Sequence, residues 1–388
     1  MEPIRLGIIG LSSSAVTSWA SSAHLPYLTS PRGLAKYRIV ALCNSSVESA
    51  KAAIKTFRLD PATTKAYGDP TAMSRDPDID LVVCCTRVDT HYAVTKPSIE
   101  AGKAAFVEWP LTHDVERSRE LAELAAKKGS RSMVGLQGQL TPVILKIKEL
   151  LQDGSIGKVL SSEVRAHGGT NDRERVAEGL RYFTDIKIGG NIFMIGFAHL
   201  FDYVQSVLGE ATGLQSSLQL QRPKVQLRDG SGHVVDTVLS NVPDLVMVTG
   251  ALSGSQLTQE GASLQVRFRR GQQFKGEPAL TWHINGELGE LRLTAPAGTS
   301  LHASSYSEPV VIEIHDFATD EVRTVNWEWP KWQDQDSLPI VSRSVARLYE
   351  TYYENIRKGA PQDYPDFSSA LRRHEQLQSI LSEWELRH

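Results

Sequence analysis

The stretch Arg5-Leu6-Gly7-Ile8-Ile9-Gly10-Leu11-Ser12-Ser13-Ser14-Ala15 decides the fold. Leu6 to Ile9 is a short apolar run of the kind that forms a strand buried on both faces. It runs into a Gly-Ser turn and then a helix-capable segment. Such a turn aims backbone N–H groups toward the start of the next helix, where a pyrophosphate can sit. The dinucleotide fingerprint G-x-G-x-x-G keeps its first glycine as Gly10, while Ser12 and Ala15 stand for the other two. Taken alone, the turn fits a plain strand–turn–helix equally well.

The residues beyond it strengthen the dinucleotide reading. Apolar runs at 37–43, 79–85, 104–107 and 133–136 read as further buried strands. Between them, 19–29, 47–57, 91–101 and 115–127 read as helices. Strands alternating with helices of this length predict an α/β chain whose N-terminal half is a doubly wound parallel (Rossmann) sheet. The boundary is expected near Gly138, giving a dinucleotide-binding domain over 1–138 and a second domain over 139–388. In the second, 141–154 is an amphipathic helix, with Val143, Ile144, Ile147, Leu150 and Leu151 apolar, and 189–208 is a helix carrying His199 and Asp202. Strand-like runs follow at 214–220, 245–252, 264–268, 280–284, 290–294, 310–314 and 322–325, then closing helices at 340–356 and 367–386. This is an α+β domain with a large, mostly antiparallel open sheet and a helix on one face. The other face calls for a cover, so a homodimer or homotetramer is expected.

The chain of 388 residues is 41% hydrophobic and 22% charged, with a net charge of −3, so its totals imply no nucleic-acid surface. Its three cysteines, Cys43, Cys84 and Cys85, fall on strands and read as buried reduced thiols, which points to the cytoplasm, with the nucleus also compatible. No signal peptide is expected before the first strand, and no apolar run is long enough for a membrane span. H-E-x-x-H, C-x-x-C and G-x-S-x-G are all missing from the sequence, so neither a metal centre nor an activated serine is expected.

Ligands of such sheets bind at the carboxyl ends of the strands. The second strand ends in Asn44-Ser45-Ser46. A carboxylate there would bind a ribose 2′-hydroxyl and repel a 2′-phosphate. Three small uncharged donors favour NADP over NAD, although the same residues would also serve as a simple helix cap.

The chain resembles the Gfo/Idh/MocA oxidoreductase family. The marks are Gly7-Ile8-Ile9-Gly10, His24-Leu25-Pro26, the strand from Asp80 to Thr86 followed by His91, Glu108-x-Pro110, Gly189-Gly190 with His199 and Asp202, and the glycine hairpin His283 to Leu291. It resembles in particular the galactose-regulon repressor branch, through Val107-Glu108-Trp109, Leu136-Gln137-Gly138, Trp19-Ala20, the segment from Tyr182 to Ile186 and Val242-Pro243-Asp244. The resemblance implies a cofactor site formed by Gly10, Leu11, Ser12, Ser13, Ser14, Asn44, Ser45, Ser46, Thr86, Arg87, His91, Glu108, Trp109 and Gln137. It implies His199 as the general acid or base, with a lone core histidine as the alternative. Family enzymes carry a Lys where Trp109 stands and an Asp where Ile195 stands. Trp109 is expected to stack on the nicotinamide or an aromatic substrate, or to be a packed aromatic. Tyr182 or Lys187 could replace the lost proton donor, and Asp202 could orient His199.

Three functions follow. The first is an NADP(H)-dependent oxidoreductase with a reshaped site, acting on a small organic substrate such as a secondary metabolite. The second is a dinucleotide-sensing regulator that grips an activator protein. The third is a redox-neutral lyase or isomerase using bound NAD(P).

Overall fold

The computed structural model of the protein describes residues 2–12, 18–168, 172–334 and 337–385. Ser13, Ser14 and Ala15 of the expected cofactor turn lie outside the described residues. The chain divides into two compact units, Met1–Gln137 with Lys187–Gly190 and Lys331–His374, and Gly138–Ile186 with Asn191–Pro330 and Glu375–His388.

The first unit is built on six strands: β1 (Ile4–Ile9), β2 (Tyr37–Cys43), β3 (Lys65–Tyr67), β4 (Leu81–Cys84), β5 (Ala104–Val107) and β6 (Ser132–Val134). They pair in parallel in the order β3-β2-β1-β4-β5-β6. The central strands are apolar and buried throughout, with Ile8 opposite Leu42 on one side and Val83 on the other. Helices α1 (Val47–Thr56), α2 (Val88–Glu100) and α3 (Val115–Lys128) supply the crossovers. The strand order reverses between β1 and β4, which places the ligand edge at their carboxyl ends.

The second unit holds α4 (Pro142–Gln152), β7 (Val159–Gly168), β8 (Arg175–Ala177), α5 (Ala198–Leu208), β9 (Ala211–Gln219), β10 (Lys224–Arg228), β11 (Val234–Leu239), β12 (Leu245–Leu252), β13 (Thr258–Arg270), β14 (Leu280–Gly286), β15 (Gly289–Ala295), β16 (Val311–Asp316) and β17 (Glu321–Val325). Eight strands form one sheet in the order β17-β16-β15-β14-β7-β13-β12-β9, antiparallel except for the parallel pair β7–β13. Alternate residues such as Val164, Val266, Trp282, Leu293 and Ile312 turn inward and are buried. They meet α5 and the turn before it, with Tyr203 and Phe197 against Trp282 and Phe268. The opposite face carries polar side chains, and ion pairs such as His283–Glu290 and Arg292–Glu313, both 2.8 Å, lie on it. A small sheet, β11-β10-β8, stands apart and was not expected, because its strands are short and largely exposed.

The helix expected over 189–208 begins later. Asn191 accepts from the Met194 N–H through Oδ1 at 2.9 Å, a π-helical turn runs over Ile192–Phe197, and α5 follows.

Helix α6 (Ile340–Lys358) precedes α7 (Phe367–Glu385). The sequence placed everything after 139 in the second domain, whereas Lys331–His374 falls in the first unit. The reason is specific packing. Tyr349 stacks on Tyr27, with 5.6 Å between centroids, and meets Tyr37 edge-on. Beside it the Glu350 carboxylate, 1% exposed, accepts from the Tyr27 hydroxyl at 2.5 Å, from two Arg32 nitrogens at 2.8 and 3.0 Å, and from Lys36. Burial pushes the Glu350 carboxyl up, but these donors outweigh it and hold it below the ordinary carboxylate range.

Candidate functional site

Within the first unit the expected cofactor residues gather at the carboxyl edge of the sheet. Gly10 follows β1 with φ +94°, and its N–H donates to the Cys43 carbonyl at 3.0 Å. A Cβ there would lie 2.8 Å from Thr86 Cγ2 and 2.9 Å from the Cys85 carbonyl oxygen. Only glycine leaves this edge open and takes the left-handed conformation without strain. Leu11 is fully buried and Ser12 half-buried.

Asn44 does not present its amide donors outward. Its Nδ2 donates to the carbonyls of Leu11 at 2.9 Å and Ser49 at 3.3 Å, leaving Oδ1 buried without a partner. The atom left over is an acceptor, which suits a ribose hydroxyl and not a 2′-phosphate. Ser46 caps α1 by accepting from the Ser49 N–H at 3.1 Å, and Ser45 is exposed. The sequence argument for NADP therefore loses one of its three donor groups, because Asn44 turns both amide hydrogens onto the local backbone, while Ser46 accepts at the helix start and keeps its hydroxyl hydrogen.

Thr86 accepts from the Thr90 hydroxyl at 2.8 Å. Arg87 forks onto Asp89 through two contacts of 2.6 Å at the start of α2. His91 is buried, with one ring nitrogen 3.0 Å from the Thr86 carbonyl and the other 2.9 Å from that of Pro110. It bridges the segments that follow β4 and β5, and burial pulls its pKa down.

Glu108 follows β5. Its Oε1 lies 2.7 Å from His24 Nε2, and the side chain is 12% exposed. Oε2 has no hydrogen-bond partner among the described residues. It passes close over Gly135, where a Cβ would sit 2.5 Å away. Trp109, joined to Pro110 by a cis peptide bond, is 6% exposed, and its ring lies 4.7 Å from that of His374. It is a packed aromatic here. Burial pushes His374 down to about 3. Gln137 is buried with Oε1 unpartnered. The open edge at Gly10, the free Oε2 of Glu108 and the orphan acceptors of Asn44 and Gln137 fit a dinucleotide, whose ribose hydroxyls and carboxamide are donors. Lys187 also belongs to this unit and is exposed.

In the second unit His199 sits at the start of α5, directly after the π-helical turn, a feature frequent at functional sites. It is 7% exposed and stacks on His302, 8% exposed, with 4.1 Å between ring centroids and 27° between planes. Burial, and then the like charge of His302, hold His199 well below 6.5; burial pushes His302 down to about 4. Both rings are thus neutral at neutral pH. Nδ1 of each is buried without a partner. Asp202, expected to orient His199, accepts from Gln139 Nε2 at 2.9 Å. Ile195 is half-buried, and Tyr182 lies edge-on to Phe183 at 5.1 Å.

Three contributors carry little or no signal in the sequence. His302 lies in an irregular loop with no periodicity to mark it. His24 is marked only by the resemblance, and its partner Tyr349 lies within the closing helix 340–356 with nothing to single it out. Among the described residues no group of three or more His, Cys, Asp or Glu is placed to hold a metal, and no described helix is long and apolar enough to cross a membrane.

Two family models match successive parts of the chain. Residues 4–136 match the model of the oxidoreductase family with NAD-binding Rossmann fold, and residues 142–295 match that of the Gal80p C-terminal domain. Dehydrogenase aclE of Aspergillus oryzae is 30% identical over 366 residues, covering 92% of this chain and 96% of its own. The galactose/lactose metabolism regulatory protein GAL80 of Saccharomyces cerevisiae is 28% identical over 305 residues, covering 76% and 68%. The crystal structure of a super-repressor mutant of Gal80p from Saccharomyces cerevisiae superposes with a TM-score of 0.85 at 24% identity, covering 100% of this chain and 97% of that one. With its Rossmann sheet, its large mostly antiparallel second sheet and a dehydrogenase relative matched over nearly its full length, the chain belongs to the Gfo/Idh/MocA oxidoreductase family.

Proposed function

We propose that the protein is a nicotinamide-dinucleotide-dependent oxidoreductase that oxidises a hydroxyl-bearing carbon of a small organic substrate, with His199 as the base. The observation that carries this reading is the state of His199, a neutral buried imidazole whose Nδ1 has no partner. Such a group can accept a proton from a substrate O–H. A nicotinamide dinucleotide would supply the hydride acceptor that balances this proton transfer. The edge at Gly10 and Thr86 would hold its phosphates, and Glu108 Oε2 would be the acceptor for a ribose hydroxyl. Trp109 and Ile195 in place of a Lys and an Asp disfavour a polyol and suit a less polar substrate, with a secondary metabolite as the candidate class. Asn44 Oδ1 favours NAD(H), while the absence of a carboxylate at 44–46 leaves NADP(H) tolerated. The likeness to a dehydrogenase over nearly the whole chain supports the reading.

The test follows nicotinamide absorbance with NAD+ and NADP+ over a panel of alcohols. His199→Ala should lower turnover by about two to four orders of magnitude. An unchanged rate removes His199 from the role.

One observation favours a second reading. The position of the family's lysine is filled by a tryptophan packed against His374, which can neither give nor take a proton. A regulator that binds dinucleotide without turnover and grips an activator segment, as the likeness to GAL80 suggests, would tolerate this. Tight dinucleotide binding with no turnover on any alcohol, together with capture of an acidic activator peptide, would favour it.

A further inference from the structure

His24 and Tyr349 lie far apart in the sequence, yet they form one buried hydrogen-bonded chain with Glu108. Tyr349 Oη is 2.8 Å from His24 Nδ1, and His24 Nε2 is 2.7 Å from Glu108 Oε1. His24 is fully buried and ends the π-helical turn Ala20–His24, while Tyr349 projects from α6. Accounting for each hydrogen fixes the direction of the chain. Burial, then Cys85 and Glu108, push the Tyr349 phenol well above its ordinary range, so it keeps its proton. Its hydroxyl has only His24 as a partner among the described residues, so it donates to Nδ1. With Nδ1 accepting, the ring hydrogen of His24 lies on Nε2 and is donated to Glu108. Every hydrogen finds an acceptor, and Oε2 of Glu108 remains free for a ligand.

Tyr349 is itself held firmly. Its backbone carbonyl accepts from the Tyr37 hydroxyl at 2.6 Å, and the neighbouring Glu350 is clamped by Tyr27, Arg32 and Lys36. The carboxylate beside the cofactor edge is therefore aimed by a relay anchored on a helix more than two hundred residues away in the sequence.

We propose that His24 and Tyr349 are positioning residues for the nicotinamide dinucleotide, acting through Glu108, so that helix α6 is part of the cofactor-binding unit. The inference rests on the reading that Glu108 serves the dinucleotide. It states which residues make that carboxylate a ready acceptor, and it applies equally to an enzyme and to a regulator.

The experiment is fluorescence titration of the full chain with NADH and with NADPH, for wild type, Glu108→Gln, Tyr349→Phe, His24→Phe and the double variant His24→Phe/Glu108→Gln. Tyr349→Phe removes one oxygen and keeps the ring, so it tests the relay if His24→Phe does not fold. His24→Phe should raise Kd about ten-fold, the loss of one hydrogen bond to a charged group, and Tyr349→Phe by about two- to five-fold. The double variant should bind within about two-fold of Glu108→Gln alone, because His24 acts through Glu108. A role confined to folding would instead lower Tm and leave the two effects on Kd independent, so multiplying effects overturn the proposal. Wild-type binding with unchanged Kd in the His24 and Tyr349 variants overturns the assignment alone. A wild type that binds neither nucleotide overturns the dinucleotide reading together with it.

Discussion

Acid should unfold this protein earlier than its carboxylates would. His302 and His374, one in each unit, have their pKa values pushed by burial to about 4 and about 3 from an ordinary 6.5. The sign follows from linkage. Both are neutral in the folded chain and free to take a proton in the unfolded one. Stability is therefore complete above about pH 6.5 and drains away as pH falls toward the folded pKa, because only the unfolded state gains protons there. Between pH 7 and pH 5 each contributes a loss of roughly 2 kcal/mol, about 4 for the two. His199, stacked on His302, shifts in the same direction and adds to the loss. The carboxylates held low, such as Glu350, weaken only below about pH 4 and do not enter this window. A total of about 4 kcal/mol is a large part of the 5–15 that domains typically have, so the effect should be plain. The assay is urea unfolding at pH 7 and pH 5, read by tryptophan fluorescence and far-ultraviolet dichroism. His374→Phe should remove roughly 2 kcal/mol of the pH-dependent loss while retaining an apolar ring against Trp109. A midpoint that does not move between the two pH values, or a His374→Phe variant as acid-sensitive as wild type, would refute the claim that these imidazoles are buried and neutral.

Two further expectations concern the frame around the site. Glu350→Gln removes the charge that Arg32 and Lys36 face in a buried cluster, and should cost about 3–5 kcal/mol, seen as a lowered Tm; a change below about 1 kcal/mol would show that the cluster is not what holds α6. The outward face of the eight-stranded sheet carries charges of both signs, among them Glu163, Arg165, Arg267, Arg292 and Glu313, and we propose that it mates with a second copy of the chain. Sedimentation should then give a dimer or tetramer that Arg292→Glu shifts toward monomer, and a monomeric wild type would exclude it.

Much of the fold was legible because burial writes itself into composition. The runs at β1, β2 and β4 are apolar on both faces, and the alternation in β12 to β16 marks a sheet with one buried side. β3 was not legible, since Lys-Ala-Tyr is short and carries no pattern. The site was legible only where chemistry and chain order coincide. Gly10, Glu108 and His199 stand at strand ends or on a helix start. His302 and Tyr349 do not, for the partner that gives each its meaning lies a hundred or more residues away. The Asn44 side chain shows a second limit, because residue type reveals that donors exist but not that Leu11 and Ser49 consume them.

The claim on which the rest depends is that the edge between Gly10 and Glu108 holds a nicotinamide dinucleotide. The direct measurement is calorimetric titration of the purified chain with NADH and NADPH, alongside mass spectrometry of any nucleotide retained through purification. Saturable binding at micromolar concentration, one nucleotide per chain, with NADH at least as tight as NADPH, is the predicted result. Binding of neither nucleotide at millimolar concentration would contradict it.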